Sequence, residues 1–257
     1  MRVRVVSPSP DLAPFVRRIE IVEASEAATR VLFPEPGLLL GIRFAGKAVL
    51  QGDGGARELP RSTVTGMRGT VRRMHTAAEG GIVVVKFRPE GAAALFEPPL
   101  HESYGAILPL ADWFRASEVG ILEERLAEAP DHSARITVVE AFLRERLRDH
   151  RADPLIGAAV EKIRRAPGEI RIARLADELG LSVDALEKRF RRAVGCSPKQ
   201  FASILRMREV VRGLRSGMSL TELALEAGYY DQSHFIRHFR AMAGMSPRRF
   251  LSNESFC

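Results

Sequence analysis

Two groups of side chains combine suitable chemistry with a regular spacing. Asp184, Glu187, Lys188 and Arg191 fall at i, i+3, i+4 and i+7; Ser233, Ile236, Arg237 and Arg240 repeat that spacing, with Gln232 beside them. On a helix each group shares one face. These are mostly hydrogen-bond donors and acceptors without a paired nucleophile and base, so they suit recognition of a ligand edge better than bond cleavage. His234 and His238 lie at i and i+4, but no acidic or thiol partner completes a metal site at ligand spacing, although Asp231 is near. His234 reads as helix surface. No cysteine precedes Cys196, and no Ser/His/Asp or paired-carboxylate arrangement stands out, so the sequence argues against an enzyme and calls for no cofactor or metal.

The elements that carry the two groups form an internal repeat. In LADELGLSVDALEKRFRRAVGCSPKQF and LALEAGYYDQSHFIRHFRAMAGMSPRRF, Leu175, Ala176, Glu178 and Gly180 match Leu223, Ala224, Glu226 and Gly228. After one inserted residue, Phe190, Arg191, Gly195, Ser197, Pro198 and Phe201 match Phe239, Arg240, Gly244, Ser246, Pro247 and Phe250. Each copy reads as helix, tight turn, helix. Ile172, Leu175, Ala176 and Leu179 make the inner stripe of the first helix, Gly180 ends it and Ser182 caps the next, where Leu186, Phe190 and Val194 point inward. In the second copy Leu220, Leu223 and Ala224 form the stripe, Gly228 turns the chain, Asp231 caps, and Phe235, Phe239 and Met242 go inward. The GxSP box after each copy ends one helix with glycine and starts another with Ser-Pro.

Two such hairpins suit docking in DNA major grooves, each wide enough for one helix. Between them, one helix from about Ser197 to Ser216 spans roughly 30 Å, close to the roughly 34 Å turn of B-DNA. A rod of that length could hold both outer faces against one side of a duplex. The charge agrees. Residues 1 to 150 hold 20 basic and 20 acidic side chains, so the whole net charge of +7 lies in the remainder. A solvated basic surface alone would give the same asymmetry.

Two cysteines, Cys196 and Cys257, are too few for a disulfide framework and read as reduced and inert. The start, MRVRVVSPSP, meets prolines where a signal peptide needs an apolar core, and no stretch is long enough to cross a bilayer. These features predict a cytoplasmic chain that binds no membrane.

The C-terminal 100 or so residues, from about 151, resemble the DNA-binding domain of AraC/XylS-type bacterial transcription regulators, on the strength of LADELGLS, FRRAVGCSPKQF and SLTELALEAGYYDQSHFIRHFRAMAGMSPRRF. The resemblance implies base contacts by Asp184, Glu187, Lys188, Arg191, Gln232, Ser233, Ile236 and Arg237. Glu187 would accept from a cytosine amino group and Ile236 would rest on a thymine methyl, while Asp184 either reads a base or supports the helix start. Arg192, Lys199, Arg240, Arg248 and Arg249 are the candidate phosphate partners. Leu251 stands where many relatives have an arginine.

Residues 1 to about 115 alternate apolar runs (RVLF, LLLGIRF, KAVL, STVTG, GGIVVVKF) with turns, the pattern of an antiparallel sheet or barrel. Gly52, Gly54 and Gly55 mark a hairpin. From EGAAALF onward the pattern becomes helical, and Ile136, Val139, Phe142, Leu143 and Leu147 form a stripe that packs within the domain or across a dimer. SPSPDLAPFV, FPEPG and VVVKFRPEGAAALFEPPLHESYGAILPL resemble the cupin-like domain that many AraC-type regulators carry. Histidines are too sparse there, His75 being the only one before His101, for a cupin metal centre. The expected fold is α+β: a cupin-like antiparallel barrel or sheet with following helices (1–150), then an all-α domain of two helix-turn-helix motifs joined by a long helix (151–257). The resemblance implies double-stranded DNA as partner, and RNA polymerase for an activator. It leaves open a small-molecule effector and a homodimer; Arg72, Arg73 and Arg88 would suit an anionic effector, or are scattered surface arginines.

Overall fold

The computed structural model describes residues 1–52, 55–97, 99–148, 153–166 and 170–252. The expected boundary between residues 150 and 151 falls outside them. Ten strands among the described residues make two antiparallel sheets. One holds, in spatial order, β1 (Arg2–Val6), β2 (Val16–Ala24), β9 (Gly80–Phe87), β4 (Leu39–Ala45), β7 (Ser62–Thr65) and β10 (Ile107–Pro109). The other holds β3 (Ala28–Leu32), β8 (Arg72–Thr76), β5 (Ala48–Gly52) and β6 (Gly55–Glu58). The described strands therefore form two sheets with free edges and no closed barrel. The hairpin at Gly52 and Gly55 is present, the two residues facing each other in the register of β5 and β6; its turn, with Gly54, lies outside the described residues.

Period-two alternation sorts the large sheet into two faces. From β9, Val83, Val85 and Phe87 join Leu40 and Ile42 of β4 and Ile19 and Ile21 of β2 in one core. Two helices, α1 (Ala116–Glu128) and α2 (His132–Arg144), cover that face. Leu122, Leu126, Val139 and Leu143 are buried there, with Ile136 and Leu147 packed on the edge. The stripe of the second helix thus packs inside its own domain, which excludes it as a dimer seam. Helix also begins later than the sequence suggests: from EGAAALF to α1 the described residues form only 3-10 turns, at Ala92–Ala94, Leu100–Ser103 and Leu110–Asp112, and Phe96 stacks edge-on against Phe87 and Trp113 at 5.6 and 5.3 Å.

Seven helices follow among the described residues: α3 (Pro154–Arg165), α4 (Ile172–Glu178), α5 (Val183–Val194), α6 (Pro198–Arg215), α7 (Leu220–Glu226), α8 (Gln232–Ala243) and α9 (Pro247–Leu251). The repeat in sequence is a repeat in space. Both first helices have 7 residues and both second helices 12. Gly180 and Gly228 have φ of +66° and +67°, a left-handed conformation open to glycine at little cost. The inserted residue lengthens the turn before the Asp231 cap. Phe190 and Phe239 are fully buried, and each meets its C-terminal phenylalanine, Phe201 or Phe250, at a ring distance of 5.6 Å.

Candidate nucleic-acid interface

Helices α5 and α8 are the second helices of the two hairpins, and their ends are fixed by side chains already legible in the sequence. Ser182 accepts from Ala185 N, Asp231 accepts from His234 N, and Gly195 and Gly244 close the helices in left-handed conformations. Leu186, Phe190 and Val194 anchor one, Phe235, Phe239 and Met242 the other. The spacer α6 is one unbroken helix of 18 residues, about 27 Å long. Its start carries a full capping box, with Ser197 and Gln200 satisfying each other's backbone N–H groups.

The outer faces carry the expected side chains, with two refinements. Asp184, Lys188, Gln232, Ser233 and Arg237 are exposed, while Glu187, Arg191 and Ile236 are half-buried. Glu187 accepts from Arg191 at 3.3 Å, one turn apart, so these two engage each other in the free protein. Ile236 packs against the core of the second hairpin instead of standing clear of it. Arg192, Lys199, Arg240, Arg248 and Arg249 are all exposed, and none is ion-paired to a described residue. Leu251 is exposed beside them. Arg189, by contrast, is structural: it grips Asp153 through two bonds of 2.8 Å, and Asp153 caps α3.

His234 is on the surface, as expected, but His238 is not. Its Nδ1 lies 2.6 Å from the Tyr229 hydroxyl and its Nε2 3.4 Å from Ser203 Oγ. Burial, then the nearby Arg206 guanidinium, lowers its pKa and favours the neutral ring. Both nitrogens that a metal would need are thereby in use. Cys196 is buried 3.9 Å from Met67 Sδ, and burial pushes its thiol up to about 12, the opposite of nucleophile activation.

Both hairpins are docked on the sheet domain, which sequence reasoning missed. Met67 joins the core of the first, and the segment Leu100–Ser103 lies along α5. The second meets Phe33, whose ring stands edge-on to Phe250 at 5.3 Å, and Val71, whose N–H donates to Met242 O. Arg208 of α6 donates to Pro34 O and pairs with Glu35 at 2.9 Å. Glu35 also binds Arg17 and Lys86. Burial alone would raise this carboxyl, but Lys86, Arg208 and Arg17 outweigh it and hold the pKa at about 2, against 4.5 for the free group. A lowered carboxylate pKa stabilises the fold above the unfolded value and loses that contribution as pH falls from about 4.5 to about 2. The shift corresponds to roughly 3 kcal/mol at most. Acid unfolding monitored by circular dichroism should show this loss in the wild type, and Glu35→Gln should remove that acid-sensitive part.

Strands of both sheets and α6 line an open cavity of about 560 Å³. Of the arginines singled out for an effector, Arg72 donates to Gly105 O and Arg88 to Ala13 O, so both brace backbone; Arg73 is exposed. The cavity is lined by other basic side chains, among them Arg30, Arg68 and Arg208. No helix among the described residues is long and apolar enough to cross a membrane.

Residues 175–253 match the family described as "Helix-turn-helix domain", and residues 4–109 match a domain of unknown function (DUF6597). The HTH-type transcriptional activator RhaS of Escherichia coli (strain K12 / DH10B) is 32% identical over 75 residues, which cover 29% of this chain and 27% of RhaS; RhaS of Escherichia fergusonii is 33% identical over the same length. The chain thus spans about a quarter of the length of these curated relatives. Among solved structures, ToxT from Vibrio cholerae superposes with a TM-score of 0.51 at 13% identity, covering 91% of this chain and 97% of that one. An apo ToxT variant from strain SCE256 gives 0.50 at 11%, covering 91% and 96%. The chain is thus similar to RhaS at the level of sequence in its hairpins and to ToxT at the level of fold along nearly the whole length: a double helix-turn-helix domain behind an N-terminal sheet domain.

Proposed function

We propose that this chain is a sequence-specific DNA-binding transcription regulator, with α5 and α8 as its two reading helices. The observation that carries the reading is the pair of capped, equal-length helices with polar outer faces, joined by an uninterrupted α6 on the basic side of the chain. The base readers are Asp184, Glu187, Lys188 and Arg191 in the first hairpin and Gln232, Ser233, Ile236 and Arg237 in the second. Arg237 is the best placed for a guanine edge, since it is exposed and has no ion-pair partner among the described residues. Glu187 and Arg191 must first release each other. The phosphate contacts fall to Arg192, Lys199, Arg240, Arg248 and Arg249, which carry no sequence information but fix register. The sheet domain modulates the reading helices through Phe33, Glu35 and Arg208, with a small-molecule effector in the cavity as its input.

Selection of bound duplexes from a random pool tests the reading: it should return a site with two conserved segments about one helical turn apart. In a footprinting titration on that site, Arg237→Ala should cost about 1 to 3 kcal/mol and relax preference at one base position only. Unchanged affinity and unchanged preference would overturn the assignment of that helix face.

A further inference from the structure

One residue of the second hairpin has no counterpart in the first. Leu181 N and Tyr229 N make the same bond, to Ala176 O at 2.9 Å and to Ala224 O at 2.8 Å, and each closes the turn after the first helix of its hairpin. In the first hairpin the next residue, Ser182, already caps α5; in the second, Tyr230 stands between Tyr229 and the Asp231 cap of α8. Tyr230 is therefore the inserted residue. It is 93% exposed, the most exposed of the large hydrophobic side chains among the described residues, and makes no hydrogen bond or ring contact with any of them. Its neighbour does the opposite: Tyr229 is buried against Phe235, and its hydroxyl lies 2.6 Å from His238 Nδ1. With Tyr229 filling the space beneath the turn and the backbone held on both sides, the ring of Tyr230 is left facing solvent.

Its place says what would cover it. Tyr230 immediately precedes the cap of α8, and Gln232 and Ser233, the first residues of that helix, are exposed. When the N-terminal residues of such a helix meet base edges in a major groove, the residue before the cap stands at the lip of the groove, beside the sugar-phosphate backbone. A tyrosine suits that position, because its hydroxyl donates to a phosphate oxygen while its ring covers apolar sugar. The first hairpin has no donor at that place, since Leu181 runs directly into the cap of α5. We propose that Tyr230 is a DNA-backbone contact of the second hairpin, its hydroxyl donating to one phosphate at the edge of the segment that α8 reads. This contact rests on the reading of α5 and α8 as DNA-reading helices. It adds to the second hairpin a hold on the duplex that the first lacks.

Affinity titrations of the full chain on its selected duplex, with the phosphates bordering the α8 segment replaced one at a time by methylphosphonates, test the inference. Tyr230→Phe should bind the unmodified duplex roughly tenfold more weakly, the cost of losing a hydrogen bond to a charged group. One methylphosphonate should weaken the wild type to a similar extent and leave Tyr230→Phe nearly unaffected, because the pair then has no bond left to lose. A tyrosine releases no counterion of its own, so the salt slope of Tyr230→Phe should equal that of the wild type, unlike the slopes of the arginine variants. Its preferred sequence and melting temperature should also stay the same, since the side chain is bonded to nothing else among the described residues. A changed base preference would make Tyr230 a base reader, and a lowered melting temperature would make it structural. Unchanged affinity, the result for a tyrosine kept exposed for a protein partner, or a scan with no coupled phosphate would remove it from the DNA backbone. Each of these overturns the contact while leaving the reading helices in place. Selection that returns no duplex for the wild type would instead overturn the regulator reading, and the contact with it.

Discussion

Phe239→Ala is expected to destabilise the second hairpin by about 3 to 5 kcal/mol, the range for removing a buried phenylalanine ring. The ring is fully buried and meets Phe235 at 6.0 Å and Phe250 at 5.6 Å, so its loss removes the centre of that core and not an edge. Relaxation into the void is limited because α8 is pinned at both ends, by Asp231 and Gly244. The expected result is a biphasic melt in which the second hairpin unfolds first, together with a footprint that keeps only the segment read by α5. Phe190→Ala, at the equivalent place, should leave only the segment read by α8. A single cooperative transition with both segments protected in either variant would show that the hairpins do not hold separate reading faces.

Salt should weaken binding steeply. If the five exposed arginines and lysine flanking the reading helices each neutralise one phosphate, the slope of log affinity against log salt is about −4.5, or roughly a 500-fold loss between 50 and 200 mM. Arg240→Ala combined with Arg248→Ala should reduce the slope by about two units without changing the preferred sequence. Base and phosphate contacts are thereby separated in one experiment: Arg237→Ala changes sequence preference, the double variant changes salt dependence. A slope near zero would remove the phosphate assignment, and a change of preferred sequence in the double variant would turn its residues into base readers.

What was legible in the sequence was local. The caps at Ser182, Ser197, Asp231 and Ser246, the left-handed glycines, and the every-fourth-residue stripe from Leu186 to Val194 are decided by interactions within a few residues, and the structure reproduces them. The repeat did more than any single motif, because two copies of one hydrophobic pattern must bury equivalent faces. Hence Phe190 and Phe239 could be placed in cores, and their opposite faces outside, before any coordinates. The strands RVLF, LLLGIRF, KAVL, STVTG and GGIVVVKF were likewise readable from β-branched runs between turns.

Other features needed the tertiary structure. Alternation along β9 tells that Ile82, Val84 and Lys86 share a face, but not that this face looks into a cavity with α6 at its rim instead of into solvent. For the same reason Arg30 reads in sequence as one more surface arginine, and only the folding of β3 over the large sheet buries it. Glu35 and Arg208 are 173 positions apart, a separation at which no periodicity carries information, and they meet because the hairpins dock on the sheet domain. Sequence by itself thus determined the two helix-turn-helix hairpins and their basic charge, since capping, turn conformation and helical periodicity are local. The tertiary structure alone decided the cavity and the ion pair that joins its wall to the spacer, since burial and charge pairing depend on which distant surfaces are brought together.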